Sequence, residues 1–192
     1  MEAIKKYKIK GENKQLEIYV DNTPTSPREW DNLGKMICFH NKYNLGDETK
    51  LKANMFDSWE EIKEYLKREE NAEIIIPLYI YNHSGITMKT TSFGCRWDSG
   101  QIGFICTSKE KIREWFQIKK VTKKYIEKAK ENLICEVETY SQYIEGNIYE
   151  FKLIENGKEI DSCGGFYGYN FEENGLFDHA NVIYSQLIEI GS

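Results

Sequence analysis

The sequence predicts an α+β fold, a mostly antiparallel mixed sheet with interspersed helices. Three observations carry that prediction. Stretches with apolar residues at every second position alternate with stretches of helical spacing, which marks both element types in one chain. Two of the strand pairs are joined by short turns, Gly11-Glu12-Asn13 and Asn156-Gly157, as in hairpins. The order of strands and helices has no regular βαβ spacing. With 192 residues the chain is long enough for one sizeable core and short for two, so residues 1–192 are read as a single α+β domain.

Residues 4 to 20 alternate through Tyr7, Ile9, Leu16, Ile18 and Val20 and form the first hairpin. Pro24 and Pro27 hold the polar connection that follows extended or turned. Met36-Ile37-Cys38-Phe39 has the composition of a buried strand, and Tyr43-Asn44-Leu45-Gly46-Asp47 that of a loop. Ser58 and Glu61 have capping-box spacing, and Trp59, Ile62, Tyr65 and Leu66 share one helical face to about residue 70. Ile74 to Tyr81 reads as a strand, with Pro77 demanding an edge or a bulge. A second strand over Gln101 to Cys106 is expected to pair with it. Thr107 and Glu110 repeat the capping-box spacing ahead of a short helix to about Phe116.

The longest helix runs from about 122 to 144, with Tyr125, Ala129, Leu133, Val137 and Tyr140 on one stripe and Gly146 ending it. Asn147 to Glu155 and Lys158 to Cys163 form the second hairpin. The run Gly164 to Tyr169 reads as a close-packed aromatic bend, and a last helix is expected from about Asp178 to Ile190.

Composition narrows the function classes. A net charge of -5 disfavours nonspecific nucleic-acid binding, which needs a cationic face, so a nucleic-acid partner is not expected. No apolar run reaches the length of a membrane span, and the start of the chain lacks a signal-peptide pattern. Five cysteines without a Cys-x-x-Cys pair suit a reducing, cytoplasmic setting. Thirteen Tyr and four Trp are a generous aromatic supply, useful for flat contact surfaces as well as for cores.

Two clusters stand out. One is His83-Ser84 followed by Cys95-Arg96-Trp97-Asp98-Ser99-Gly100-Gln101, reactive and turn-forming residues between two apolar runs. The other is Trp30, Asp31 and Asn32 together with Asn44 and Asp47, a polar and aromatic loop pair suited to recognition. Binding is therefore assigned to Trp30, Asp31, Asn32, Asn44, Asp47, His83, Ser84, Trp97, Asp98, Ser99 and Gln101. The alternative is covalent catalysis, with Cys95 as thiolate, His83 as base and Asp98 orienting it; against it stands the ordinary role of Cys95 as a small buried hydrophobe. Cys38, His40, His83 and Cys95 offer zinc-type ligands without paired spacing, so no metal and no cofactor are assigned. Gly164 to Tyr169 lacks the order of a phosphate loop, and Lys119, Lys120, Lys123 and Lys124 read as a solvated face.

The words Pro27-Arg28-Glu29-Trp30-Asp31-Asn32-Leu33-Gly34, Tyr43-Asn44-Leu45-Gly46-Asp47-Glu48, His83-Ser84-Gly85-Ile86-Thr87-Met88, Trp97-Asp98-Ser99-Gly100-Gln101-Ile102-Gly103 and Ser162-Cys163-Gly164-Gly165-Phe166-Tyr167-Gly168 resemble a family of uncharacterised proteins from phages and integrated mobile elements. The resemblance spans roughly residues 27 to 168. The chain departs from the family pattern at Arg96, where the family has Pro, and at Gly164, where it has Trp. The resemblance implies a phage or prophage origin, and with it the cytoplasm of a bacterial host cell, and carries over no catalytic residue. The expected function is a binding protein acting on a host defence or regulatory component; a thiol-dependent hydrolase or transferase and a nucleotide or small-molecule binder are the alternatives.

Overall fold

The computed structural model describes residues 2–83, 85–95 and 97–191. It is an α+β fold with two antiparallel sheets and one long helix. The chain divides into two compact units, one formed by residues 27–141 and the other by the segments on either side.

The outer segments build a five-stranded sheet. Its strands are β1 (Lys5–Ile9), β2 (Lys14–Val20), β7 (Ile148–Glu155), β8 (Lys158–Tyr167) and β9 (Leu187–Gly191), in the order β8-β7-β2-β1-β9. Both predicted hairpins form. Asn156 and Gly157 take φ of 52° and 77°, the positive values that a type I′ turn requires. One face of the sheet carries Tyr7, Ile9, Leu16, Ile18, Phe151 and Leu153, and the chain after β8 covers it with Phe171, Leu176, Phe177 and Val182.

That covering segment corrects the expected helix over 178–190. The helix present, α4, spans only Leu176–His179. Asn181 then adopts φ 52° and donates to Asp178 O, while Val182 N donates to Phe177 O at 3.0 Å. This paired return to the last helical carbonyls stops a helix at a residue that tolerates left-handed backbone. The chain beyond it runs out as β9, an edge strand in which Leu187 pairs with Ile9 and Lys5 bonds Glu189. Gly164 to Tyr167 also differs from expectation, because β8 continues through it. The strand is irregular opposite Tyr149 and Phe151, Gly165 has φ 85° and donates to Asp21, and a Cβ on Gly164 would meet Asp21 Oδ2 at 2.8 Å. The glycines serve an irregular strand lying close to a neighbouring carboxylate.

The central unit holds a four-stranded sheet of β3 (Lys35–Cys38), β4 (Ala72–Asn82), β5 (Ile86–Lys89) and β6 (Ser99–Ser108), in the order β3-β6-β4-β5. β4 pairs with β6 as expected, so the stretches around His83 and Trp97 leave one sheet at neighbouring strand ends. Pro77 precedes the part of β4 that pairs with β5, which begins at Tyr79, and the β4–β6 register shifts between Leu78 and Tyr79. Both devices anticipated for a strand proline are therefore present. Helix α1 (Trp59–Glu69) packs Ile62 and Leu66 against Ile37, Phe104 and Cys106, and Ser58 caps it by accepting from Glu61 N. Helix α2 (Lys109–Phe116) is capped by Ser108. The predicted cap, Thr107, is one residue early: it is still in β6, paired with Ile74. Helix α3 (Lys123–Glu145) buries Ala129, Leu133, Val137 and Tyr140. At Gly103 a Cβ would stand 1.9 Å from Ile37 O, so only glycine lets β3 lie this close to β6.

Candidate functional site

The first cluster of site residues gathers around a buried guanidinium. Arg28 leaves a short 3-10 turn, Pro27–Glu29, and its side chain is 7% exposed. Its Nε and Nη2 donate to the two oxygens of Asp47, each at 2.7 Å, Nη2 also to Gly34 O, and Nη1 to Glu136 Oε2 at 3.1 Å. The carboxylates are held in turn by backbone: Met36 N donates to Asp47 Oδ2 at 2.7 Å and Leu33 N to Glu136 Oε1 at 2.7 Å. Gly46 N bonds the Tyr140 hydroxyl, fastening the same loop to α3. Burial alone would lower the guanidinium's pKa, but the bonds to Asp47 and Glu136 outweigh it and the group is held charged. For Glu136 the balance runs the other way: burial outweighs the bonds from Arg28, Leu33 and Gly34 and raises its carboxyl above the ordinary value. One cation serves two carboxylates, and its bidentate fork goes to Asp47.

Trp30, Asp31, Asn32 and Asp47 line a cleft of about 400 Å³ beside this network. Asn32 Nδ2 donates to Pro27 O and Trp30 O, both at 2.9 Å, and so shapes the loop from within. Asp31 pairs with Lys111 at 3.1 Å and Lys35 with Glu70 at 2.7 Å. Thr107 stands in the wall, 4% exposed, and its Oγ1 has no hydrogen-bond partner among the described residues. A buried hydroxyl left so costs about 1–3 kcal/mol. Asn44 is exposed and does not line the cleft. Lys35, Glu70, Thr107 and Lys111 escaped the sequence reading because their shared place arises only when β3, β6 and the ends of α1 and α2 meet.

The second cluster lies where β4, β5 and β6 end. His83 Nδ1 stands 3.4 Å from Asp98 Oδ2, and Asn82 N donates to Asp98 O at 2.9 Å. Ser99 Oγ bonds Cys95 O, closing the turn before β6. Gln101 Nε2 reaches Gly103 O at 3.4 Å, and Gln101 borders a shallow hollow beside Trp59 and Phe104. Cys95 is half-buried, and its sulfur has no hydrogen bond to His83 among the described residues. His83 and Asp98 meet, but the Cys95 thiol is not joined to them. Ser84 and Arg96 lie outside the described residues.

Around this pair stands a tier of rings that sequence reading did not collect. Tyr81 stacks on His83 at 6.1 Å between centroids and on Phe93 at 5.5 Å, and Lys89 Nζ lies 4.0 Å from the Phe93 centroid. Trp97 is 95% exposed. The signal was present in Tyr79-Ile80-Tyr81, whose alternation places Ile80 inside and the tyrosines on the other face.

The zinc-type residues do not converge. Burial pushes the Cys38 thiol up to about 12. His40 stacks on Tyr43, and its Nδ1 accepts from Lys42 N and Tyr43 N, a turn role. No group of three His, Cys, Asp or Glu suited to a metal occurs among the described residues. No helix among the described residues is long and apolar enough to cross a membrane. Lys119, Lys120, Lys123 and Lys124 are exposed around the start of α3. Comparison with family models, with curated proteins and with solved structures returns no match.

Proposed function

We propose that the protein is a non-enzymatic binding protein of phage or mobile-element origin, acting on a host defence or regulatory component through the surface that carries Trp97. The origin rests on the resemblance of its sequence words. The binding role rests on one observation: Trp97 gives 95% of its surface to water, next in the chain to Asp98, which stands against His83. An indole left this exposed forgoes roughly 2–3 kcal/mol of burial free energy, which a partner surface recovers on contact. Tryptophan at the centre of an interface can carry on the order of 2 kcal/mol or more. Asp98 and Lys89 supply a polar rim of both signs.

Thiol chemistry fits less well, because a base must lie within hydrogen-bond reach of the sulfur it activates. The two readings separate in a phage or plasmid fitness assay, with circular dichroism confirming the fold. Trp97→Ala combined with Asp98→Ala is expected to abolish the advantage the gene confers, and Cys95→Ser to leave it intact. Complete loss from Cys95→Ser alone would replace the binding reading with the enzymatic one.

A further inference from the structure

We propose that the turn ahead of α3, together with the first turns of that helix, is a contact surface for the phosphate backbone of duplex nucleic acid. Between Glu114 and Glu131 the chain has six lysines and one carboxylate, Glu127. Glu127 bonds Lys130 at 2.9 Å. The other five, Lys119, Lys120, Lys123, Lys124 and Lys128, are exposed, and none of them has a salt bridge among the described residues. Elsewhere in the same unit Lys35, Lys109 and Lys111 each bond a carboxylate, so the five stand apart from their neighbours. The net charge of -5 is a sum over the chain and conceals this segregation; contact with a polyanion is governed by the local field.

The placement works against the fold. α3 has no acidic residue in its first turn and begins with Lys123 and Lys124. The positive end of the helix macrodipole disfavours cations there, and Lys124 and Lys128, four residues apart on one face, repel each other. A polyanion held at this end relieves both.

The density of cations selects the class. The helical part of the patch, Lys123 to Lys128, rises only about 7.5 Å. Duplex nucleic acid carries one charge per about 1.7 Å of its axis, enough to meet several closely spaced lysines at once. An acidic peptide in extended form offers at most one carboxylate per about 3.3 Å, on alternating sides. An anionic bilayer calls for apolar side chains beside the cations. Here Ile118, Val121 and Tyr125 are half-buried and Phe116 packs on Tyr125, so the ammoniums alone project. Lysine contacts of this kind position a backbone and read no base, so binding is independent of sequence.

The surface shares no residue with the one that carries Trp97, so either proposal stands or falls alone. The test is titration of the whole protein into a fluorescent 20-base-pair DNA duplex, followed by anisotropy at several salt concentrations. Saturable binding with a Kd of about 100 μM or tighter is expected at 50 mM salt. The logarithm of the affinity is expected to fall against that of salt with a slope between about -3 and -4.5, roughly 0.9 for each lysine engaged. Lys119→Ala combined with Lys120→Ala is expected to make the slope shallower by about 2 and to weaken binding about tenfold or more at 50 mM salt. Lys123→Glu combined with Lys124→Glu is expected to abolish binding and to raise the thermal midpoint, because carboxylates suit a helix N-terminus. Polyglutamate and phosphatidylserine vesicles are expected to bind more weakly than the duplex. No saturable binding at 50 mM salt, a slope shallower than about -2, affinity unchanged in both lysine variants, a midpoint lowered by the glutamates, or binding of polyglutamate or vesicles as tight as that of the duplex would each overturn the proposal.

Discussion

Arg28 and Trp97 belong to the same compact unit and to sequence words of similar composition, each with an aromatic, an acidic and a glycine residue close by. Their side chains have opposite surroundings. That of Arg28 is 7% exposed and holds two carboxylates and a carbonyl, while Trp97 is 95% exposed and stands on a turn. The difference is one of satisfied bonding. Charged groups can be taken from water only when their bonds are replaced, so the Arg28 side chain is committed to architecture. Nothing in the architecture of the described residues requires the indole of Trp97 to be where it is. A residue that the fold does not use and that water does not favour is the better mark of a contact surface.

The comparison breaks first at Arg28. Arg28→Ala leaves Asp47 and Glu136 as partly buried carboxylates without their cation and Gly34 O without its donor. A loss of about 3–5 kcal/mol in urea denaturation is expected, the range for breaking one side of a buried pair. Arg28→Lys is expected to recover only part, because an ammonium cannot reproduce the two-pronged bond to Asp47. A loss under about 1 kcal/mol for the alanine variant would place the network among ordinary surface pairs.

A smaller effect sharpens the same point through pH. Burial, outweighing the bonds from Arg28, Leu33 and Gly34, raises the Glu136 carboxyl above its ordinary value, so the folded state holds that proton more tightly than the unfolded chain does. The stability this contributes is present below the unfolded value, about 4.3, and is lost as pH rises through the folded one. Glu136→Gln stands permanently in for the protonated form. The stability of the natural chain relative to that variant is therefore expected to fall as pH rises above about 4, measured by urea denaturation at each pH. The opposite slope would mean that Arg28 dominates the site and that burial does not.

Elements whose cause is local were legible in the sequence. Ser58 with Glu61, the stripe from Tyr125 to Tyr140 and the Asn156-Gly157 turn each contain the reason for their own geometry, and each formed as expected. Elements decided by a neighbour were not. The stretch after Asp178 carries helix-compatible spacing, but Asn181 stops the turn and β1 supplies an open edge for Leu187 to Gly191. Thr107 has the spacing of a cap, yet pairing with Ile74 keeps it in the strand and passes the role to Ser108. The site followed the same rule. Trp30, Asp31, Asn32 and Asp47 were singled out by residue type and line one cleft, whereas Lys35, Glu70, Thr107 and Lys111 join them there only through tertiary packing. His83 and Asp98 come together because β4 and β6 are neighbours, and the Cys95 sulfur has no hydrogen bond to His83 among the described residues.

The smallest expected effect is the most informative one. Trp97→Ala removes a side chain that has 95% of its surface in water, so the fold loses almost no buried area and no tertiary contact of consequence. Stability is expected to change by no more than about 0.5 kcal/mol, the range for surface positions free of special features. The contrast with Arg28→Ala then becomes a measurement of what each word is for, since one variant unfolds easily and the other folds normally but fails in the fitness assay. A loss above about 2 kcal/mol from Trp97→Ala would show that the indole packs in solution against the fold itself. The tier of Tyr81, His83 and Phe93 would then be its resting place, and the contact surface assigned to Trp97 would belong to the core.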